Sequence, residues 1–296
     1  MSAGPPGSTW GRAGTGTKAR DANSTRSAQL AELLRGPTVA YVVVVGTVAA
    51  IVAGATLHSL ALATVGSLAV WALVAALAFA TADRRAAEDF YRAYAAGRGL
   101  EYEGGAALLP LTPLLGAGQR RRFEHWMRGP LPGGGTCGLG HYSFETGDRG
   151  ERERRGTRHH FTVCVVDLES GMRLFPGIFV TRRRGLLGGL EGAHWLSHAA
   201  RHEVELESAR LCDRCELWVD DGQDELLLRQ LFVPSFQVLL AEHPLAPCFE
   251  YRAGTLVVYA EHRFEDEGHL DWMLDVTAEI AKRFTAEVEQ LSLIHI

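Results

Sequence analysis

The sequence predicts a membrane-anchored α+β protein, in which a two-helix transmembrane hairpin is followed by a mainly antiparallel β domain with C-terminal helices. Three observations predict this class. Residues 37–82 contain no Asp, Glu, Lys or Arg. Residues 136–181 contain runs of β-branched and aromatic residues that are typical of strands. Residues 266–290 repeat apolar side chains at the spacing of a helix with one buried face.

The apolar stretch is long enough to cross a bilayer twice. As one helix it would extend about 69 Å, whereas the hydrocarbon core of a bilayer is about 30 Å thick. A break at residues 54–59 divides the hairpin, residues 36–82, into spans at about 37–56 and 60–82. Both spans contain small residues that favour close helix packing, and neither contains a charged group, so we expect an anchor and not a channel or carrier. A buried hairpin of a soluble protein is the alternative.

Basic residues flank both ends of the hairpin, and such residues are retained on the cytoplasmic side of a membrane. We therefore predict a multi-pass protein of the cytoplasmic (inner) membrane with both termini and the main domain in the cytoplasm. The partners expected from this topology are the lipid bilayer and an unidentified cytoplasmic or membrane protein. The flanking residues are Arg12, Lys18, Arg20, Arg26 and Arg35 before the hairpin and Arg84, Arg85, Arg92 and Arg98 after it.

Composition narrows the remaining possibilities. The chain has 296 residues and a formal net charge of -5. Because the acidic side chains are concentrated in the second half, a nucleic-acid partner is not expected. Residues 1–35 are rich in Gly, Ser, Thr and Ala, which predicts a disordered tail. Cysteines of a cytoplasmic domain are not expected to form structural disulfides.

Residues 83–135 are predicted to form a juxtamembrane helix and a loop. The helix is expected to end at Gly97, a suitable C-cap, and the residues beyond 104 are rich in Gly and Pro, as loops are. This loop carries a basic and aromatic run that is suited to an anionic lipid surface, with an ordinary solvated face as the alternative. The residues predicted to contact lipid are Arg120, Arg121, Arg122, Trp126 and Arg128.

Residues 136–290 are predicted to form the cytosolic α+β domain. Two strand patterns flank a charged connection, and Arg252-Ala253-Gly254 is a turn between two further strands. Pro234 is expected to end one helix and to begin the next. The predicted strands lie at 136–144, 160–168, 172–181, within 204–219, at 248–251 and at 255–261, and the predicted helices lie at 225–232, 234–243 and 266–290.

Residues 291–296 look like the in-frame translation of a sequencing-library adapter. We expect this segment to be non-native and the native C-terminus to lie further along the chain. The fold prediction therefore gives it no weight.

Four stretches between residues 83 and 285 carry a family resemblance: Leu111-Thr112-Pro113-Leu114-Leu115, Phe175-Pro176-Gly177-Ile178-Phe179-Val180, Val204-Glu205-Leu206-Glu207-Ser208 and Leu231-Phe232-Val233-Pro234-Ser235-Phe236. In these stretches and in the order of its elements, the chain resembles bacterial membrane proteins of unknown function that have two N-terminal transmembrane helices and a cytosolic α+β domain. The resemblance implies the same layout here, and it implies no catalytic residues.

The sequence contains one candidate metal site. His198 and His202 are four residues apart, which places them on one face of a helix, and Cys212 and Cys215 form a Cys-x-x-Cys pair that is suited to zinc. Against this site, residues 204–219 favour a strand, in which the two cysteines would point to opposite faces. Zinc is the one candidate cofactor, and a redox dithiol or buried, incidental thiols are the alternatives.

Other enzyme signatures are absent from the sequence. It contains no phosphate-binding Gly-x-x-x-x-Gly-Lys loop, no Gly-x-Ser-x-Gly elbow and no His-Glu-x-x-His helix, and no catalytic residue is predicted. The favoured hypothesis is a membrane-anchored cytosolic interaction or regulatory domain without enzymatic activity. The alternatives are a membrane-tethered metal-dependent enzyme that uses the His/Cys cluster and a peripheral domain that binds anionic lipid.

Overall fold

The computed structural model describes residues 44–49, 51–52, 60–147, 157–168, 174–183, 196, 200–242 and 247–294. Helices α1 to α6 span Leu60–Arg98, Pro113–Gly116, Ala209–Cys212, Glu225–Leu231, Pro234–Glu242 and Glu267–Ile294. Strands β1 to β9 span Glu101–Gly104, Gln119–Pro130, Thr136–Thr146, Thr157–Asp167, Gly177–Arg182, Arg201–Glu203, Cys215–Asp220, Cys248–Arg252 and Thr255–Ala260. Residues 44–49 and 51–52 are also helical.

The strands form one antiparallel sheet in the order β1-β2-β3-β4-β9-β8-β5-β7-β6. This confirms the predicted antiparallel domain of the α+β class. Local sequence explains several elements. Ala253 and Gly254 have φ of 50° and 78°, the left-handed pair that a two-residue hairpin turn requires. Pro234 begins α5, where its missing N–H costs no hydrogen bond.

The prediction of a loop over residues 104–135 is wrong, because β2 occupies twelve residues of it and pairs with β1 and β3. The glycines that suggest a loop instead allow close contacts. An added Cβ at Gly118 would lie 2.5 Å from the Phe144 ring, and one at Gly129 would lie 2.7 Å from Leu100. The predicted boundary at residue 135 therefore falls inside one continuous sheet.

The strand predicted within residues 204–219 is shorter than expected. β7 begins only at Cys215, and the one-turn helix α3 precedes it. Ser208 caps α3, because its hydroxyl accepts a hydrogen bond from the Leu211 N–H at 3.3 Å. Alternation of polar and apolar residues predicts a strand, but this cap takes the backbone out of extended geometry.

The main face of the sheet is covered by α1, α4, α5 and α6. From residue 82 onwards α1 buries a stripe at helical spacing, which includes Ala86, Phe90, Tyr91 and Tyr94. The stripe of α6 continues the same cluster; its buried members are Leu270, Met273, Leu274, Ile280, Ala281 and Phe284. Burial of these two stripes joins the first and last helices to one core.

The opposite face carries a smaller cluster of aromatic residues. Trp126 lies across Gly138 and Gly140, where an added Cβ would be 1.9 Å and 2.9 Å from the indole. Helix α2 covers this face, and the N–H of its Leu114 donates to the buried Glu250 carboxylate at 2.8 Å. The cluster comprises Leu114, Leu115, Ala117, Trp126, Tyr142, Phe144, Phe161, Val163, Cys248, Val257 and Tyr259.

Helix α1 changes character along its length. Its first part exposes large apolar side chains on several sides, among them Leu68, Trp71, Leu77 and Phe79. Among the described residues, one helix is long and apolar enough to cross a membrane, at Thr64–Arg98. Gly46 of the preceding helical segment lies against this part, since an added Cβ would be 2.5 Å from Val70 Cγ1. The predicted tail and the break of the hairpin lie outside the described residues.

Candidate functional site

A cavity of about 660 Å³ lies between α1 and the edge of the sheet formed by β1 and β2. It begins where the apolar part of α1 ends. We call it the juxtahelical cavity, and none of its residues belongs to a site predicted from the sequence. Its lining comprises Asp83, Arg84, Ala87, Glu88, Arg92, Tyr102, Glu103, Gly104, Glu124, His125, Arg263 and Glu265.

A β-bulge in β2 places His125 beside this cavity. Glu124 pairs with His141 and Met127 pairs with Leu139, so that His125 and Trp126 oppose Gly140 alone. His125 has a left-handed φ of 52°, which a non-glycine residue adopts at a local energetic cost. The extra residue lets His125 share the main face with its neighbours while Trp126 points to the opposite face.

The His125 ring is held from two sides. It stacks on Tyr91, with ring centroids 4.4 Å apart, and its Nδ1 lies 3.0 Å from the Tyr102 hydroxyl. Burial, with a smaller contribution from Arg263, lowers the pKa of His125 to about 4. Burial also raises the pKa of Tyr102. At neutral pH the pair is therefore uncharged, and with the Tyr102 hydroxyl as donor the ring hydrogen lies on Nε2.

A second layer of polar side chains lies behind His125. The Tyr91 hydroxyl donates to the Phe264 carbonyl at 2.9 Å and lies 2.7 Å from His141 Nε2. Thr162 is 3.3 Å from the other nitrogen of that ring and accepts a hydrogen bond from the Phe264 N–H. Burial and nearby cations lower the pKa of His141 well below its ordinary value. This neutral network supports the cavity and holds Tyr91 in place.

Most charges of the cavity are paired within it. Arg263 lies 3.5 Å from Glu124 and 3.3 Å from Glu265. Arg92 lies 3.6 Å from Glu88 and sits over the Tyr102 ring at 5.4 Å. The lining therefore offers neutral hydrogen-bonding groups surrounded by both signs of charge. Such an arrangement is suited to binding a polar ligand without covalent chemistry.

Helix α1 and strand β2 run side by side in the same direction. Tyr91 contacts His125, and Leu100 lies against Gly129. The nine-residue step from Tyr91 to Leu100, which lies two residues after the end of α1, extends about 13 Å at the rise of a helix. The four-residue step from His125 to Gly129 extends about the same distance in a strand. Counting back from Tyr91 and His125 with the same rises per residue places Arg122 of β2 beside Arg84 of α1, where the apolar part of α1 ends.

This alignment divides the residues predicted to contact lipid. Arg120, Arg121 and Arg122 are exposed and are level with the end of the apolar part of α1. Arg128 is exposed but pairs with Glu101 at the other end of β2. Trp126 is only 3% exposed, so its ring cannot contact a lipid surface. The strand alternation and the bulge turn it onto Gly138 and Gly140, whereas the sequence pattern suggested one basic and aromatic surface.

The predicted zinc ligands are only partly described, because His198 lies outside the described residues. His202 is on β6, with its Nδ1 3.3 Å from an Asp221 oxygen. Cys212 ends α3, and its thiol donates to the Leu206 carbonyl at 3.4 Å. Burial raises the pKa of Cys215 to about 11. The described ranges contain no group of three or more metal-ligating side chains, and the zinc site stays a prediction.

Comparison with solved structures gives a weak similarity in fold. No protein-family model matches the chain, and no curated protein matches it. A solved structure that is similar is the crystal structure of the mycobacterial trehalose monomycolate transport factor A, TtfA. The similarity covers 69% of this chain and 95% of that chain, at 11% sequence identity and a TM-score of 0.45. At this level it supports no argument about function.

Proposed function

We propose that this chain is a membrane-anchored, non-enzymatic interaction or regulatory domain at the cytoplasmic face of the inner membrane. A helical hairpin holds the α+β domain close to the bilayer, where the domain binds a protein partner. Both termini lie in the cytoplasm, and the basic residues that flank the hairpin retain them there.

The continuity of α1 is the observation that carries this proposal. The helix passes without interruption from a part that exposes Leu68, Trp71 and Phe79 to a part that buries Phe90 and Tyr91 in the domain core. Exposed apolar side chains on several sides of a helix are costly in water and favourable in lipid. Because one rigid helix belongs to both environments, the domain is held at a defined distance from the bilayer and does not move on a flexible linker.

The position of three arginines beside the end of the apolar part of α1 favours a second role, in which the domain contacts anionic lipid. Arg120, Arg121 and Arg122 lie beside the end of the apolar part of α1 and are exposed. Basic side chains close to an anionic surface each contribute about 1 kcal/mol of attraction. Binding of the full chain to vesicles does not report on this contact, because the hairpin itself inserts into the vesicle bilayer. The orientation of the domain relative to the bilayer is measured instead.

The anchoring is tested in intact bacterial cells that express the full chain. We expect the protein to resist extraction by alkaline carbonate, and externally added protease not to cleave near Gly150. Release by carbonate would contradict the anchor, and cleavage from outside would contradict the orientation. Proximity labelling from the domain tests the partner, with residues 1–82 fused to an unrelated domain as the control. Recovery of the same neighbours in both samples would count against a partner-binding role.

A further inference from the structure

We propose that the juxtahelical cavity binds the headgroup of a phospholipid that carries both a phosphate and a primary ammonium group, with Arg84 at the phosphate and Glu103 at the ammonium. The proposal rests on the membrane anchoring argued above, because that anchoring places the cavity in the headgroup layer. It adds a ligand and two recognition residues to that function.

The position of the cavity is the first reason. Asp83 and Arg84 line its end nearest the apolar part of α1 and directly follow the buried Ala82, whereas Phe79, one turn earlier, is 62% exposed. With the apolar part of α1 in the hydrocarbon core, this end of the cavity lies where phosphates and headgroups are. The volume of about 660 Å³ lies within the usual range for pockets that bind small molecules.

The pattern of paired charges is the second reason. Arg92 is paired with Glu88, and Arg263 is paired with Glu124 and Glu265. In the described part of the chain, Arg84 and Glu103 line the cavity without an ion-pair partner. Asp83 also lines the cavity but has a partner of its own. Apart from Asp83, one cation and one anion remain available, and they match a ligand with one charge of each sign.

The order of these two residues matches the order of charges in a lipid. Glu103 lies between Tyr102 and Gly104, which pair with Met127 and Trp126. Measured along the axis of α1 and away from its apolar part, Glu103 is therefore about 13 Å beyond Arg84. In a phospholipid the phosphate is close to the acyl chains, and the amine lies further from them. A headgroup that enters from the bilayer therefore meets Arg84 first and reaches Glu103 with its ammonium group.

The same geometry discriminates between headgroups. A primary ammonium donates up to three hydrogen bonds, to Glu103 and to neutral acceptors such as the Tyr102 oxygen. A trimethylammonium group has no hydrogen to donate, and a headgroup with only negative charge leaves Glu103 unpaired. Phosphatidylethanolamine is therefore expected to bind in preference to phosphatidylcholine and phosphatidylglycerol.

The test uses the full chain in nanodiscs of phosphatidylcholine, with or without phosphatidylethanolamine, and measures amide hydrogen exchange in residues 83–92 and 100–105. A headgroup present at about four times its Kd slows amide exchange that requires an empty cavity about fivefold. We expect this slowing with phosphatidylethanolamine only, and its loss in Arg84→Gln and Glu103→Gln. Glu101→Gln removes the same charge from the same strand outside the cavity and should retain the slowing.

Each remaining outcome has a defined meaning. Equal exchange in the two kinds of nanodisc, or full slowing in Glu103→Gln, overturns the headgroup proposal. Slowing by soluble phosphoethanolamine in phosphatidylcholine nanodiscs, together with no slowing by phosphatidylethanolamine, overturns the assignment to a lipid. Co-elution of the chain with the nanodiscs is measured in the same sample. A chain that does not co-elute contradicts the anchoring itself, whereas an inserted chain without selective slowing contradicts only the headgroup proposal.

Discussion

The two faces of the sheet differ in how closely they are packed. On the opposite face, Trp126 lies directly on Gly138 and Gly140, with no room for an additional carbon atom. On the main face, α1 packs against the sheet through Phe90 and Tyr91. Nearer to the apolar part of α1, the juxtahelical cavity lies between the helix and the sheet. The comparison indicates that the opposite face is closely packed around Trp126, whereas the main face, although it carries the larger core, leaves space for a ligand beside α1.

The first prediction concerns the opposite face and has the largest expected effect. In Gly138→Ala the new Cβ would lie 1.9 Å from Trp126 Cζ2. The indole cannot move away easily, because the Phe123 ring packs against it at 5.4 Å. We expect a loss of about 3 kcal/mol in the free energy of unfolding, measured by denaturant titration of the full chain in detergent.

Gly97→Ala is the matched control for this substitution. No atom lies within 4 Å of the Cβ that it adds, and Gly97 is in α1 with a helical backbone. Alanine is preferred to glycine in a helix, so this variant should be more stable by about 0.5 to 1 kcal/mol. Similar losses of free energy of unfolding in both variants would show that the close packing of Trp126 on Gly138 does not cause the loss in Gly138→Ala.

The second prediction compares one hydroxyl on each face. Tyr91→Phe removes the group that contacts both the Phe264 carbonyl and His141, and two buried polar groups then lose a partner. We expect a loss of about 2 kcal/mol. Tyr142→Phe on the opposite face removes a single bond, to the Leu115 carbonyl at 3.1 Å, and should cost about 1 kcal/mol. Equal costs in denaturant titrations would contradict the role of Tyr91 as the centre of a network.

The third prediction concerns the polar end of the main face under acid conditions. The pKa of His125 is lowered by burial to about 4, below the ordinary value of about 6.5 that it regains in the unfolded chain. Its stabilising contribution is therefore complete above about pH 6.5 and is lost as the pH falls towards 4, since the unfolded state takes up the proton first. For this partly exposed ring we expect a loss of about 1 kcal/mol between pH 7 and pH 5.

His125→Gln should reduce this pH dependence, because glutamine does not titrate in this range. The exposed His262 contributes only its backbone carbonyl to the network, so His262→Gln is the control, because it removes an imidazole and keeps the network intact. Unfolding midpoints are measured at pH 7, 6 and 5 for the three proteins. An unaltered slope in His125→Gln would refute the lowered pKa as its source.

The parts of the fold that the sequence predicts are those with a local cause. The turn at Ala253 and Gly254 and the helix that begins at Pro234 depend on backbone preferences of one or two residues. The stripe of α6 depends on a repeat within one element. All three elements occur where they were predicted.

The elements that the sequence missed depend on contacts between distant residues. The glycines of residues 104–135 predict a loop, although Gly118 and Gly129 allow other parts of the chain to approach. The cavity combines side chains from α1, β1, β2 and the residues before α6, which share no local pattern. One signal was available, since Gly138 and Gly140 alternate on one face of β3 and thereby indicate a large ring above them.

The smallest expected effect concerns the segment that covers the opposite face. Thr112 is buried, and its Oγ1 accepts a hydrogen bond from the Leu115 N–H at 3.4 Å, so it caps α2. Thr112→Ala removes this cap and should cost about 0.5 to 1 kcal/mol, whereas Thr112→Ser keeps the hydroxyl and should cost less. The substitution acts on the cover and not on the contact of Trp126 with Gly138, so the loss should remain well below that of Gly138→Ala. If Thr112→Ala loses as much free energy of unfolding as Gly138→Ala in denaturant titration, then helix α2, and not the packing of Trp126 on the glycines, stabilises this face.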